Sequence, residues 1–400
     1  MLAQFARNAN ITNNDTSNTN LSDIDNINNI YDKNDYKYDE VTIGGAYSTF
    51  NVPSVDMVVT NQGDYIARQT REYYVYESNR TKVFIFTTIL NNLEDSDGFT
   101  TRVGVFDNHY DKTEDTGGNG VFFKLEDGRL CTCIRYGIID QTDYCICRDG
   151  YGPSKFNLES FNQVLTFRIE FEGDNYERVG FYIYINGYPI LVNEFLKFQH
   201  RDFIIKCNNL PVRYEITKTK DNPNIGILSQ FNSSLQIEGY CMPRYLIKHE
   251  NILTKPDNKF SVESVEHARF SIRLQKKYNR AVIRNLVVNC YTDSDFASPI
   301  IITVLRNAKF VGDVPVWVPK PNSFVEYDIS ACRINTTNAE IIEIAYMNDQ
   351  HFYTPQINYQ KNIILTSNIP GISDIFTVTF RKLRTMQKCY ASFSWEEYYI

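Results

Sequence analysis

The segment LTFRIEFEGD (165–174) alternates apolar and polar residues without a break over its first eight positions. On an extended chain Leu165, Phe167, Ile169 and Phe171 fall on one side, and Thr166, Arg168, Glu170 and Glu172 on the other. A helix would scatter the same residues around its axis. The segment therefore predicts a strand with one face in a core. Just downstream, GFYIYINGYPILVNEF (180–195) places Asn186-Gly187 between two apolar runs. That dipeptide accepts the positive φ angles of a tight hairpin turn, so the two runs predict antiparallel neighbours.

The same grammar recurs along the chain. KVFIFTTIL (82–90) predicts a strand buried on both faces, and RVGVFD (102–107) and NGVFFKLEDG (119–128) follow with turn residues between them. A second series runs from ARFSIRLQ (268–275) through AVIRNLVVNCY (281–291), SPIIITVLR (298–306), SFVEYDI (323–329), AEIIEIAYM (339–347) and KNIILTS (361–367) to DIFTVTFRKL (374–383). The 28 Tyr and 26 Phe suit pleated surfaces. The expected fold class is all-β, with two antiparallel β-sandwiches behind an extended N-terminal arm. The expected divisions are an Asn-rich arm at 1–54, a larger jelly-roll or concanavalin-like sandwich at 55–250, and a smaller sandwich at 251–400. The polar, proline-bearing HENILTKPDNKF (249–260) marks the boundary.

Residues 1–40 hold ten Asn and little to bury. Ile11, Leu21, Ile24, Ile27, Ile30 and Tyr31 are spaced apolar anchors, read here as the contacts of an arm that orders against a neighbouring subunit. The three-residue spacing of Leu21, Ile24 and Ile27 predicts a short helix on docking.

The formal charge of −7 and pI near 5.4 exclude a protein that coats nucleic acid with a basic stripe. No apolar run reaches the ~18–20 residues of a membrane-spanning helix. The first residues lack a long apolar stretch of the secretory type, and with nine cysteines this predicts a reducing compartment and mostly free thiols. Four cysteines stand out in LCTCIRYGIIDQTDYCICRDG. Cys131, Cys133, Cys145 and Cys147 are symmetric about Ile139, so a hairpin centred there sets Cys131 opposite Cys147 and Cys133 opposite Cys145. Buried reduced thiols, a four-thiolate zinc site and cross-strand disulfides are all compatible with that geometry.

Catalytic motifs are absent. The five His form no H-E-x-x-H, and there is no G-x-S-x-G elbow or phosphate loop. Asp107, Asp111, Glu114 and Asp115 resemble a calcium loop only loosely, and acidic residues are common in turns. Glu170 and Glu172 lie opposite the apolar face of their strand and are expected in solvent. The prediction is a non-enzymatic protein with no metal and no cofactor. In NNLPVRYEI (208–216), Pro211 ends a turn and Val212, Tyr214 and Ile216 alternate with Arg213 and Glu215. The two charged residues share a face, where they pair with each other or with a neighbouring strand.

The order of TREYYVY (70–76), RVGVFD, NGVFF (119–123), IRYG (134–137), RVGFYIYING (178–187), NNLPVRYEI and QIEGY (236–240) resembles a family of β-rich virion structural proteins of tailed bacteriophages and large DNA viruses. ARFSIRLQ and VPVWVPKPNSFVEYDI continue the likeness, which covers most of 55–335. It implies a minor capsid or capsid-associated protein, made in the host cytoplasm and carried in the virion. Its partners would be other capsid or tail subunits, without nucleic acid or a membrane span. Arg71, Arg102, Asp107, Arg213 and Glu215 would be framework residues. The strand series also looks like the jelly-roll sandwich of sugar-binding modules. That likeness implies the alternative function, a carbohydrate- or host-receptor-binding module on a tail, fibre or particle surface, with Trp317 or Trp395 available to stack on sugar rings.

Overall fold

A computed structural model of the protein describes residues 21–75, 80–91, 98–107, 118–126, 128–135, 143–147, 162–172, 178–196, 209–238, 249–253, 268–278, 281–293, 300–312, 314–330, 333–337, 339–347, 365–382 and 388–398. The chain divides into two compact units, Met1–Pro243 and Arg244–Ile400. Almost every element in both is a strand.

In the first unit the strands are β1 (Leu21–Asn28), β2 (Tyr38–Ile43), β3 (Tyr47–Asn51), β4 (Ser54–Val59), β5 (Tyr65–Thr70), β6 (Tyr74–Val75), β7 (Lys82–Asn91), β8 (Phe99–Phe106) and β9 (Gly120–Glu126). They continue with β10 (Arg129–Arg135), β11 (Asp143–Cys147), β12 (Leu165–Glu172), β13 (Arg178–Ile185), β14 (Tyr188–Leu196), β15 (Asn209–Leu210), β16 (Val212–Lys218) and β17 (Gly226–Glu238). Sheet I has the order β14-β13-β12-β7-β17-β4-β3, with β1 also paired to β17. Sheet II has the order β11-β10-β9-β8-β16-β5-β2. All their pairings are antiparallel, and β6 and β15 form a small separate ladder.

The two sheets meet through aromatic side chains. Phe123 of sheet II stacks on Phe167 of sheet I with ring centroids 4.5 Å apart and meets Phe181 edge-on at 5.2 Å. Phe86 and Tyr214 make a further edge contact at 6.2 Å. Asn193 on sheet I donates to Thr132 Oγ1 on sheet II at 2.6 Å, which satisfies a buried amide across the gap. The alternation of LTFRIEFE is realised in β12: Phe167, Ile169 and Phe171 lie in the core opposite Ile183, Phe181 and Val179 of β13. Asn186 and Gly187 take φ of 52° and 85°, the two left-handed positions that the hairpin requires.

The N-terminal segment departs from expectation. Residues 21–54 are not an extended arm but supply strands to both sheets. No helix forms at Leu21–Ile27. A bulge between Asp23 and Asp25 leaves Ile24 as the extra residue of β1. A bulge resets the two-residue period, so apolar residues three apart fit a strand. Ile27 is buried in the core of the unit itself, as is Tyr38, whose hydroxyl bonds Ser233 at 2.7 Å. The long β17 makes this possible. Its first half pairs with β4 and its second half with β1, on either side of a bulge at Phe231.

The second unit has a six-stranded sheet with Ala268–Leu274 and Ile375–Lys382 near its middle, and a three-stranded sheet of His249–Leu253, Lys388–Tyr398 and Val282–Asp293. Phe270, Ile272, Val304, Val378, Leu365 and Trp395 share its core. The expected strand KNIILTS contributes two isolated bridges, Ile283 to Leu365 and Ser367 to Ser373, among the described residues. No helix among the described residues is long and apolar enough to cross a membrane.

Candidate functional site

Among the described residues of the first unit, three polar assemblies outside the main core stand out. The first is on the outer face of sheet II. Tyr214 and Ile216 of β16 point into the core, which turns Arg213 and Glu215 to the other side, where both are nonetheless buried. Arg213 donates to Glu215 at 3.1 Å, to Gln69 Oε1 at 2.7 Å and to Tyr65 Oη at 2.6 Å. Arg102, directly across from Glu215 in β8, donates to its other oxygen at 2.6 Å. Burial alone would raise the Glu215 pKa, but the guanidinium groups of Arg213 and Arg102 override it and hold the carboxyl at about 2. The carboxylate oxygens of Glu215 and the Arg213 donors are engaged within the cluster. Buried and internally paired, it reads as a framework.

The second assembly is on the outer face of sheet I. Arg168 and Glu170 of β12 pair at 2.7 Å. Arg178 binds Glu172 at 2.8 Å, Glu194 at 2.9 Å and the Tyr182 hydroxyl at 2.9 Å. The Arg168 guanidinium lies over the Tyr182 ring, 5.2 Å from its centroid. Glu170 was expected in solvent, yet it is 3% exposed. Its strand is paired on both sides, and the ring of Tyr182 and the fork of Arg178 wall it in. Gly180, opposite Glu170, makes room for them: a Cβ there would stand 2.8 Å from the Tyr182 ring. Burial and a hydrogen bond to Glu172 push the Glu170 pKa up to about 7. Burial alone would also raise Glu172, but the same hydrogen bond, with Arg178, holds its carboxyl below the ordinary value.

The third assembly is a cavity of about 240 Å³ between β1 and β2, lined by Asn26, Ile27, Asn28, Tyr31, Asp32, Asn34, Tyr36 and Lys37. The connection crosses from sheet I to sheet II and is held along its length. Asn34, in the left-handed region at φ 53°, donates to Asn28 O at 2.6 Å and Asn29 Oδ1 at 2.9 Å. Its own N–H bonds Asp32 Oδ1 at 2.8 Å. Asn29 bonds Phe231 O and Gln230 O at the bulge of β17. From below, fully buried Arg68 reaches Lys33 O at 2.5 Å, Glu40 at 3.1 Å and Gln230 Oε1 at 3.0 Å, and stacks on Tyr38. Arg71 ties Asp35 O and Lys37 O. Over this fixed floor Tyr31 is 86% exposed and Tyr36 58%.

The sequence-predicted residues scatter over these places. Arg71 supports the cavity loop. Arg102, Arg213 and Glu215 form the buried framework. Asp107 closes a turn by accepting from Asn119 N at 2.7 Å, while Asp111, Glu114 and Asp115 lie outside the described residues. Of the arm anchors, Ile27 and Tyr31 line the cavity, Ile30 is half-buried beside it, Leu21 and Ile24 belong to β1, and Ile11 lies outside the described residues. Ile27 is therefore a core residue and not a subunit contact. Strands β10 and β11 pair Cys131 with Cys147 and Cys133 with Cys145. Cys131 and Cys133 are disulfide-bonded, which corrects the expectation of free thiols and removes both from the proposed zinc set. They pack with Phe106 and Phe122 away from the main core. Trp395 is buried and donates to Glu397, and Trp317 carries the Arg273 guanidinium 4.2 Å from its ring centroid. Neither presents a free ring as expected. Asn26, Asn28, Asp32, Asn34, Tyr36 and Lys37 were missed. Their signal was Tyr among Asn and Asp, which composition alone reads as a solvated tail.

No family model and no curated protein sequence matches the chain. Among solved structures, it is similar to a legume lectin-like domain from Entamoeba histolytica at 13% identity and TM-score 0.32, covering 52% of this chain and 91% of that one. It is similar to lectin I-B4 from Griffonia simplicifolia, in its metal-free form, at 12% and 0.35, covering 54% and 99%. An endo-1,3-beta-glucanase from Streptomyces sioyaensis matches at 9% and 0.39, covering 56% and 98%. The first unit is an antiparallel β-sandwich of two sheets.

Proposed function

We propose that the chain is a carbohydrate-binding module whose site is the cavity between β1 and β2. The observation that supports this is the pairing of two exposed tyrosine rings with amide and carboxylate groups over a rigid floor. A sugar presents a C–H face to an aromatic ring and hydroxyls to polar groups, and this site offers both. A loop already fixed by Arg68, Asn29 and Asn34 spares a ligand the cost of ordering it. The function is binding without chemistry, since the buried carboxyls of Glu170 and Glu215 are engaged by arginines. A reducing-end assay on glucans tests that half of the reading. The sequence likeness to virion proteins adds a location, the surface of a viral particle, tested by mass spectrometry of purified particles.

A glycan array with the full chain tests the binding. Tyr31→Ala and Tyr36→Ala are each expected to weaken the glycans retained about tenfold, roughly 1.4 kcal/mol, without loss of folded protein. Absence of any retained glycan at high protein concentration overturns the reading.

A further inference from the structure

We infer that the cavity between β1 and β2 selects a single neutral sugar ring and rejects anionic glycans. The inference rests on the carbohydrate-binding reading and adds the class of ligand. It follows from which charges around the cavity are already matched.

Five carboxylates (Asp25, Asp32, Asp35, Asp39 and Glu40) and four cations (Lys33, Lys37, Arg68 and Arg71) surround the crossover among the described residues. Each cation has its carboxylate. Lys37 binds Asp25 at 2.6 Å, Lys33 binds Glu40 at 3.1 Å, Arg68 binds Glu40 at 3.1 Å and Asp35 at 3.5 Å, and Arg71 faces Asp39 at 3.9 Å. Lys37 is the cation that lines the cavity, and Asp25 holds its ammonium group while also accepting from the Tyr74 hydroxyl at 2.6 Å. An anionic ligand would have to break that pair to gain a cation.

The carboxylate left without a cation is Asp32, which lines the cavity and is exposed. One oxygen of this exposed side chain receives the Asn34 N–H, which leaves the second as an acceptor for a ligand. A sugar hydroxyl can donate to it; a carboxylate, sulfate or phosphate group is repelled by it. The Asn28 side-chain amide supplies a donor for a neighbouring hydroxyl, and the Tyr31 and Tyr36 hydroxyls can serve as either. Acceptor, donor and ring face together describe a neutral polyol. The size fits one ring: about 240 Å³ is below the ~300–1,000 Å³ of pockets that enclose drug-sized ligands.

The test is calorimetric titration of the full chain with matched oligosaccharides, each neutral and each carrying a sulfate or sialic acid on the same backbone, with Asp32→Asn as the variant. Asn keeps the oxygen that receives the Asn34 N–H and loses the charge, so the loop is retained, as an unchanged melting temperature will show. The expected result is binding of a neutral sugar, at least tenfold weaker binding of its anionic counterpart, and a narrowing of that ratio in Asp32→Asn. Preference for the anionic member of each pair overturns the inference and leaves the carbohydrate reading standing. Selectivity and affinity both unchanged in Asp32→Asn overturn it also, by placing the sugar elsewhere. Failure of every oligosaccharide to bind the native chain overturns the carbohydrate reading itself.

Discussion

Arg213 with Glu215 and Arg168 with Glu170 are the same motif twice. Each is an arginine two residues before a glutamate on a strand paired on both sides, with the pair turned away from the core and buried. The outcomes are opposite. Glu215 sits between two guanidinium groups and is held ionised far into acid, at about 2. Glu170 has one arginine and a second carboxyl beside it, and its pKa rises to about 7. Burial acts in the same direction on both. Two residues separate them: Arg102 stands across from Glu215 where Gly180 stands across from Glu170, and Glu172 follows Glu170 two positions on where Thr217 follows Glu215. The charge state of a buried carboxyl is thus set jointly by the residue two positions along its own strand and by the residue across from it.

The largest test of the contrast is Glu215→Ala. It leaves two arginines facing an empty place and should cost about 3–5 kcal/mol in urea unfolding. A loss under about 1 kcal/mol would break the framework reading. Next comes Arg102→Met, which leaves Glu215 one guanidinium and makes the two sites alike. Glu215 is held below its ordinary 4.5, so it contributes stability that is full above 4.5 and lost as pH falls toward 2. In Arg102→Met the acid midpoint of unfolding should move to higher pH, with a cost of roughly 2 kcal/mol. Glu170 has the opposite sign. Its folded pKa lies above 4.5, so its contribution is full below 4.5 and declines as pH rises through 7. Glu170→Gln should abolish that decline and leave the protein equal or on the order of 1 kcal/mol more stable at pH 8. A variant as unstable as Glu215→Ala would erase the comparison. The smallest effect is expected from Gly180→Ala, which displaces the Tyr182 ring. It should cost about 1 kcal/mol and bring the Glu170 titration down as water reaches the carboxyl, read by NMR of its side chain.

The strands of the sandwich were legible because alternation is a local signal. LTFRIEFE became β12 with its apolar face in the core, and Asn186-Gly187 took the two positive φ angles its hairpin needs. The register of the cysteine hairpin was readable from spacing alone. The segment 21–54 was not legible. Leu21, Ile24 and Ile27 look helical until a bulge is known to sit at Ile24, and a bulge is set by the partner strand. β17 was hidden for the same reason, because its bulge at Phe231 breaks the pattern of ILSQFNSSLQIE. The cavity was further out of reach. Tyr31 was singled out as an apolar anchor, but nothing local tells that Arg68, 37 positions along the chain, fixes the loop beneath it.

Sequence by itself determined that this chain folds as antiparallel sheets and, for regular strands such as β12 and its neighbours, where the hairpin turn falls and which face is apolar. Those are consequences of a two-residue period and of the few residues that tolerate turn geometry. Only the tertiary structure decided that Glu170 is pushed up to about 7 while Glu215 is held at about 2, that Cys131 and Cys133 are disulfide-bonded, and that an Asn-rich segment lines a cavity. The physical reason is common to all three. Charge, redox partner and cavity wall depend on groups brought from distant positions, and a hydrogen bond or a Coulomb interaction takes no account of sequence separation.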